Sequence, residues 1–394
     1  MNSFSFSIPQ NIYVGSDSFG KLSEIGEKIG GKKAFIISGP SLFKSGIVNR
    51  AVSALSLAGI TADYYVDVEA NPCVKTVEKA TQEFRESGAD FIVALGGGSP
   101  MDVAKAVAVV AKYGGSITDY EGAHKVPGKV IPMIAIPTTA GTGSEVTAFS
   151  VITDHDRNYK LTVFSYELLP QYAILDPNLI TTVPASVAAA CGIDAFIHAL
   201  EAYISLAASP FSEAMSEKAM ELIGASIRAY VVNRNDIEAA ENMMVGSLFA
   251  GIAFSFARLG NVHAMSHPVS AFYDVPHGVA NGVLLPVILE FNSLTDKGKY
   301  FKIYNYVSTS KKTSQEFVPQ LLVDEIKSLL QDIGIPKGII DAVHSVKGKE
   351  TVTKEEIEGL IDDMAADAYK SGNIAVNPRK STLDDIKKLY EMAL

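Results

Sequence analysis

The chain has 394 residues, of which 47% are hydrophobic and 20% are charged, so its length suits two or three domains and its composition is that of a globular protein. Its formal net charge of −10 argues against a nucleic-acid partner, because phosphate binding requires a basic surface. Two cysteines, Cys73 and Cys191, argue against a disulfide framework and favour the cytoplasm, and the sequence predicts neither a signal peptide nor a membrane span.

The first half of the chain alternates short apolar runs with segments of helical periodicity. Continuous apolar strands that alternate with helices indicate a parallel sheet covered on both faces. The predicted strands are residues 33–38, 90–95 and 130–137, and the predicted helices are residues 47–58 and 76–87.

A glycine-rich turn, Gly96-Gly97-Gly98-Ser99-Pro100-Met101-Asp102, follows the second predicted strand and opens a helix. Glycines let the backbone approach a ligand closely, and the free amides of a helix start favour a pyrophosphate. Ser99 has the pattern of an N-cap, with Pro100 as the first helical residue and Asp102 three residues after the cap. The alternative is a tight turn that binds nothing, since the common G-x-G-x-x-G fingerprint is absent.

A second polar loop, from Pro137 to Thr147, follows the third predicted strand and contains five hydroxyl side chains and two glycines. Parallel strands end at one edge of a sheet, where hydroxyls and free amides bind phosphate and ribose. Two such loops favour a nucleotide site, although a solvated loop is the alternative for each.

The second half of the chain changes character after a seam at residues 175–184. The prolines of the seam, Pro177 and Pro184, predict a short extended crossing. From Ala185 onward the sequence is rich in alanine, methionine, leucine and glutamate with no strand pattern, which predicts an all-helical domain. We therefore expect an α/β domain over residues 1–182 and a helical domain over residues 183–394.

Histidines are concentrated in the predicted helical domain. Asp194 and His198 are four residues apart, as are His263 and His267, so each pair lies on one face of a helix. Imidazoles and one carboxylate suit a first-row divalent ion such as iron or zinc. The alternative, ordinary buried or capping histidines, is less consistent with two such pairs in apolar surroundings.

Two further features accompany these pairs. Pro268 is expected to end or bend the helix just after His267, because proline cannot donate the helical hydrogen bond. The sequence Asp274-Val275-Pro276-His277-Gly278 predicts a turn that presents His277 inward, with Gly278 relieving crowding.

In these motifs the chain resembles the iron-containing (group III) alcohol dehydrogenases, which include lactaldehyde reductases and 1,3-propanediol dehydrogenases. The resemblance covers nearly the whole length. It shows in the segments 96–102, 137–145, 176–177 and 377–379, and it is strongest in the segments 260–268 and 276–281. It implies an α/β dinucleotide-binding domain with a parallel sheet and an all-α metal-binding domain. The implied metal ligands are Asp194, His198, His263 and His277, with Fe²⁺ as the ion and Zn²⁺ as an alternative.

The resemblance also implies the other residues of the site. His267 is the implied catalytic proton relay, and Phe149 and Phe254 the implied walls of the substrate pocket. The implied cofactor contacts are Gly39, Asn71, Gly97, Gly98, Ser99, Asp102, Thr138, Thr139, Thr142, Val151, Lys160 and Leu179. Members of the family commonly form homodimers.

The implied reaction is hydride transfer between NAD(P) and a small primary alcohol or aldehyde, with the metal polarising the substrate oxygen. Members that require NAD carry an acidic residue where this chain has Gly39, so NADP is admissible, with Lys44 within reach. The alternatives are a zinc-dependent glycerol dehydrogenase-like polyol enzyme or a dehydroquinate synthase-like lyase, both with three metal ligands. A non-catalytic nucleotide- or metal-binding protein is a further alternative, which would leave His267 without a task.

Overall fold

The chain folds into two compact units, one α/β and one helical. The computed structural model describes residues 4–157 and 159–394. The first unit is formed by residues 7–181, and the second by residues 182–394 together with the N-terminal residues 4–6. Phe6 belongs to the second unit because its ring stacks on that of Phe211, with ring centroids 3.9 Å apart.

The first unit contains the strands and helices of the α/β architecture. Its strands are β1 (Asn11–Val14), β2 (Lys33–Ile37), β3 (Thr61–Tyr65), β4 (Phe91–Gly96), β5 (Gly122–Ala123), β6 (Met133–Pro137), β7 (Phe149–Asp154), β8 (Tyr159–Phe164) and β9 (Tyr172–Leu175). Its helices are α1 (Leu22–Ile29), α2 (Pro40–Lys44), α3 (Ile47–Leu57), α4 (Val74–Ser87) and α5 (Gly98–Tyr113), and short 3₁₀ turns include Ser144–Val146 and Pro177–Ile180.

Six strands form a parallel sheet in the order β1-β9-β6-β4-β2-β3. Both faces of the sheet are buried. In β2, Phe35 and Ile37 pack into one apolar cluster while Ala34 and Ile36 pack into the other. This explains why the central strands are apolar at every position, and it confirms the predicted covered parallel sheet.

The sequence pattern missed several strands. Strands β1 and β3 lie at the two edges of the sheet, and their partly exposed residues lack the continuous apolar run of the central strands. A second, three-stranded sheet in the order β5-β8-β7 was also not predicted. The alternating burial of β7 and β8 is the period-2 pattern of a half-exposed antiparallel pair.

The second unit is built from helices throughout its described residues. They are α6 (Ala185–Ile204), α7 (Pro210–Val232), α8 (Ile237–Ala257), α9 (Asn261–Tyr273), α10 (His277–Asn292), α11 (Lys299–Val307), α12 (Pro319–Asp332), α13 (Ile339–His344), α14 (Lys354–Glu358), α15 (Ile361–Lys370) and α16 (Leu383–Ala393). The predicted fold class, a parallel α/β sheet followed by a helical region, is confirmed.

Two local predictions were wrong, and a third was wrong in part. The seam is not an extended crossing, because residues Pro177–Ile180 form a 3₁₀ turn whose N-cap is Asp176. Helix α9 continues through Pro268 to Tyr273, so of the two expected effects, an end or a bend, the proline does not cause an end. His277 is the first residue of α10 rather than part of a turn, since Pro276 is the N-cap. Proline is tolerated wherever tertiary packing compensates for the missing hydrogen bond.

The expectation that the chain has no membrane span stays a prediction, because some helices are long and apolar enough by length and composition alone. Helices α6, α8 and the segment His277–Thr295 each meet that criterion. In the structure, 83%, 61% and 61% of their respective apolar windows are buried inside the protein. These helices are apolar all round because other helices surround them.

Candidate active site

In the first unit, the two predicted nucleotide loops lie against each other at the carboxyl ends of β4 and β6. A Cβ atom at Gly97 would lie 3.0 Å from Oγ1 of Thr139, and one at Gly98 would lie 2.8 Å from Cγ2 of Thr142. The backbone of Thr138 is tied to the first loop by a hydrogen bond from its N–H to the carbonyl of Gly96. The glycines are therefore needed for the close approach of the two loops, and both of them stay partly exposed.

The start of α5 differs from the prediction. The N-cap is Gly97, with no side-chain capping bond, and Ser99 lies inside the first turn of the helix. The carboxylate of Asp102 does not cap the helix either. Its Oδ1 accepts a hydrogen bond from the hydroxyl of Ser144, and its Oδ2 accepts one from the backbone N–H of Val151. Asp102 therefore holds the second loop in place.

Below this loop lies a buried charge cluster that the sequence analysis missed. The ammonium of Lys105 contacts four oxygen atoms of residues 144–149, at 2.7–3.3 Å. Burial raises the pKa of Asp102 to about 6 and that of Glu145 to about 7, although the charge of Lys105 opposes both shifts. Burial lowers the pKa of Lys105 to about 8 against the opposing charges of the two acids.

The remaining predicted cofactor residues lie on other segments of this unit. Gly39 is the N-cap of α2 and follows β2 directly after Ser38. Asn71 has a left-handed backbone conformation, and its side-chain carbonyl accepts a hydrogen bond from Nζ of Lys160 at 2.8 Å. Leu179 is buried, its side chain packs into the hydrophobic core, and its backbone N–H donates to the carbonyl of Asp176.

In the second unit, the predicted metal ligands converge on one carboxylate oxygen. From Oδ1 of Asp194, Nε2 of His263 lies at 3.5 Å, Nε2 of His198 at 3.8 Å and Nε2 of His277 at 3.9 Å. One donor atom from each of Asp194, His263 and His277 lies within 4.8 Å of the other two. In a tetrahedral site with metal–ligand distances of about 2.1 Å, neighbouring donor atoms are roughly 3.4 Å apart, so the donor set fits a metal ion.

Three helices bring these residues together. Helix α6 carries Asp194 and His198 one turn apart, α9 carries His263, and α10 begins with His277. A Cβ atom at Gly278 would overlap the backbone carbonyl of Ala190, so this glycine allows α10 to approach α6 closely. Asp194, His198 and His263 are buried, whereas 30% of the His277 side chain is exposed, as expected for a ligand at the open side of a site.

The side chain of Asn281 marks the point of convergence. Its amide nitrogen lies 2.7 Å from Oδ1 of Asp194, 3.1 Å from Nε2 of His263 and 3.2 Å from Nε2 of His277. An amide has two N–H groups and cannot satisfy three acceptors at once. The amide oxygen of Asn281 is buried and has no hydrogen-bond partner among the described residues. Three acceptors that face a single donor are what a cation would satisfy better.

The electrostatics of the group favour a cation. Burial alone raises the pKa of Asp194, but the nearby histidines, His198 first among them, outweigh it and hold the pKa well below its usual value. Burial alone lowers the pKa of His263, but hydrogen bonds and charge from Asp194 and Glu201 raise it to about 9. The field that favours a proton on His263 also favours a metal ion there.

The other predicted residues of this unit lie beside the ligands. The ring of His267 stacks on that of His277 at 5.2 Å between centroids, one turn along α9 from His263. The ring of Phe254 stacks on His198 at 4.5 Å. In the first unit, the ring of Phe149 packs against that of Phe164, with 4.7 Å between the ring centroids. The catalytic and pocket roles of these residues stay predictions.

Comparisons with known proteins show the family of the chain. Residues 9–177 match the family model for iron-containing alcohol dehydrogenase, and residues 188–394 match the model for the C-terminal region of that family. The chain belongs to the iron-containing alcohol dehydrogenase family. It is similar to the 1,3-propanediol dehydrogenase of Citrobacter freundii, with 35% identity over 99% of this chain and 98% of the relative.

Other members of the family are similar to the chain over nearly its whole length. The lactaldehyde reductase of Escherichia coli K12 is 34% identical over 98% of each chain. The crystal structure of a 1,3-propanediol oxidoreductase superposes with a TM-score of 0.92 and 35% identity, covering all of both chains. The predicted reaction class and cofactor class are thereby confirmed at the level of the family: the chain is an oxidoreductase of the iron-containing alcohol dehydrogenase family. Its relatives include an NAD-dependent methanol dehydrogenase of Bacillus methanolicus and a sulfoacetaldehyde reductase of Bifidobacterium kashiwanohense solved in complex with NAD⁺.

Sequence reasoning missed two residues of the metal group in this family member. Glu201 contacts His263, and Asn281 contacts three of the predicted ligands. A signal existed for both. Glu201 follows Asp194 by seven residues and so shares its face of α6, and Asn281 follows His277 by four.

Proposed function

We propose that this protein catalyses the reversible NAD(P)-dependent interconversion of small primary alcohols and aldehydes at an iron ion held by Asp194, His198, His263 and His277. The observation that supports it best is the convergence of three imidazole nitrogens on one oxygen of Asp194, at 3.5–3.9 Å. A carboxylate with three imidazoles leaves a first-row metal open positions for a substrate.

When bound, the metal supplies Lewis-acid polarisation of the substrate oxygen. Oxidation of the alcohol then releases a hydride to the nicotinamide and a proton to the protein. His267 is suited to carry that proton, because its ring stacks on His277 and it is only partly buried. Phe254, stacked on His198, gives the metal group an apolar neighbour. We therefore propose small, mostly unbranched alcohols and aldehydes rather than polyols. The relatives named for 1,3-propanediol and lactaldehyde support the small size, although each of these compounds carries a second oxygen group.

For the cofactor we propose the loops at the carboxyl ends of β2, β4 and β6, with both NAD and NADP accepted. The Ser38-Gly39-Pro40 turn after β2 offers no carboxylate to bind a ribose or to repel a 2′-phosphate. We further propose a homodimer, the common assembly in the family, and a cytoplasmic location, which a chain with two cysteines favours.

The test combines metal analysis with an absorbance assay of NAD(P)H. The purified protein should contain one iron or zinc per chain and should oxidise NAD(P)H with propanal or lactaldehyde faster than it reduces NAD(P)⁺ with glycerol. The variant His263→Ala should lose metal and turnover together. If this variant kept both, the ligand assignment would be wrong.

Two alternatives are distinguished by the same assay. A zinc-dependent glycerol dehydrogenase-like enzyme would prefer glycerol as substrate. A non-catalytic binding protein would bind metal and nucleotide yet show no turnover with any alcohol or aldehyde. The four-residue donor set favours the proposed reaction over the glycerol dehydrogenase-like enzyme, whereas a binding protein would leave His267 without a task.

A further inference from the structure

We infer that Glu201 is the positioning residue of the metal site, because it fixes which ring nitrogen of His263 carries the proton and so frees the other nitrogen for the metal. The inference rests on the proposed metal site and adds a residue to it. Glu201 does not reach the predicted donor atoms itself. It acts through His263 and through the first turn of α9.

Glu201 is a buried carboxylate whose hydrogen-bond partners lie at the start of α9. Its side chain is 2% exposed, and its Oε2 lies 2.7 Å from Nδ1 of His263. Its Oε1 accepts a hydrogen bond of 2.7 Å from the backbone N–H of Val262. A buried glutamate in an apolar helix is costly unless it is paired, so these contacts are the physical reason for its presence.

The position of the carboxylate decides the tautomer of His263. A carboxylate only accepts hydrogen bonds, so Nδ1 of the neutral imidazole must carry the proton. The opposite nitrogen, Nε2, then presents its lone pair toward Oδ1 of Asp194, at 3.5 Å. The Nδ2 group of Asn281 lies 3.1 Å from the same Nε2, where it can donate a hydrogen bond. The contact with Asn281 is consistent with an unprotonated Nε2. The contact with Asp194 then sets two acceptor atoms face to face, an arrangement that a metal ion between them would satisfy.

Contacts around the start of α9 fix its position relative to Glu201. Gly260, which precedes α9, has room only for a hydrogen, because a Cβ there would lie 2.9 Å from Oε1 of Glu201 and from Oδ1 of Asn377. Asn377 also accepts a hydrogen bond from the N–H of Asn261. Two side chains thus replace the missing partners of the first helical amides, and the first turn of α9 presents His263 in one orientation.

The decisive variant is Glu201→Gln, which preserves shape and reverses one hydrogen bond. The glutamine oxygen can still accept from Val262, which leaves its NH₂ group facing Nδ1 of His263. That group is a donor, so it selects the imidazole with an unprotonated Nδ1 and a proton on Nε2. A protonated nitrogen cannot bind a metal. The matched control is Glu217→Gln, a half-buried glutamate of α7 that binds Tyr203 and Lys302.

The measurement is the affinity of the chelator-stripped, full-length protein for Zn²⁺, determined by competition with a chromophoric chelator. We expect Glu201→Gln to weaken Zn²⁺ binding by roughly 10- to 100-fold, the usual effect of removing a hydrogen-bond partner of a metal-binding histidine. Glu217→Gln should match the wild type. A Zn²⁺ affinity of Glu201→Gln within threefold of the wild type would overturn the inference.

A second measurement needs no variant. Long-range ¹H–¹⁵N spectra of the Zn²⁺-loaded wild type, with labelled histidine, should show His263 with its proton on Nδ1. A proton on Nε2 would refute the inference even if Glu201→Gln failed to fold. Asp194→Asn separates the two proposals. If this variant retains full affinity, the proposed metal site itself is wrong; if it loses the metal while Glu201→Gln does not, only the role of Glu201 is wrong.

Discussion

Replacing Lys105 by methionine tests the buried charge cluster beneath the nucleotide loops. Methionine keeps the length and apolar stem of lysine and removes only the ammonium. Four oxygens then lose their partner: the carbonyls of Ser144 and Phe149 and the hydroxyls of Ser144 and Thr147. The buried acids Asp102 and Glu145 lose their nearest positive charge.

The expected loss of folding stability follows from these contacts. Each buried carbonyl or hydroxyl left without its donor costs about 1–3 kcal/mol. The two buried acids also lose the positive charge that opposes the rise in their pKa. Because these effects overlap, we expect the free energy of unfolding of the first unit to fall by about 4 kcal/mol. For a domain of about 150–250 residues this corresponds to a melting temperature roughly 10 °C lower.

The loss should depend on pH. In the wild type the pKa of Asp102 is raised to about 6 and that of Glu145 to about 7, and without Lys105 both shift further upward. Raised carboxyl pKa values mean that the folded state favours the protonated acids, so stability falls as the pH rises through these values. The variant should therefore be closer to the wild type at pH 5 than at pH 7.5.

Hydrogen exchange read by mass spectrometry is the suitable assay, because it reports the first unit separately. Peptides from β4, α5 and β6 should exchange faster in Lys105→Met at pH 7.5. The control is Lys112→Met, an exposed lysine of the same helix, which should change stability by less than about 0.5 kcal/mol. A loss below about 1 kcal/mol that is equal at both pH values would refute the argument.

Three further predictions concern the two sites. His267→Gln should keep its metal and lower kcat by about 100-fold, and an unaltered pH–rate profile would count against a proton relay. Gly39→Asp should weaken NADPH binding at least about tenfold relative to NADH, through repulsion of the 2′-phosphate; equal effects on both cofactors, measured by fluorescence titration, would disprove it. Gly278→Ala should lower both the melting temperature and the metal content, because the new Cβ overlaps the carbonyl of Ala190; a variant with wild-type values would show that α10 can shift without consequence.

Local features of this protein follow from its sequence because they depend on neighbours along the chain. The apolar run of β4 requires burial on both faces, and the four-residue spacing of Asp194 and His198 places them on one helix face. The family motifs added the complete set of expected ligands. Helix starts were less predictable. Serine is a residue type that commonly caps helices, yet the N-cap of α5 is Gly97 and not Ser99.

Tertiary structure alone decided which distant groups meet. Glu201 and His263 are separated by 62 positions, and nothing in the local pattern of either predicts a hydrogen bond between them. From its sequence position Lys105 would be expected to be an exposed helical lysine. It is fully buried because the segment of residues 144–149 folds over it. The periodicity of a sequence indicates only whether a side chain faces the core. The group that it contacts there depends on how other helices and loops pack, and this packing assembles both the metal group and the charge cluster.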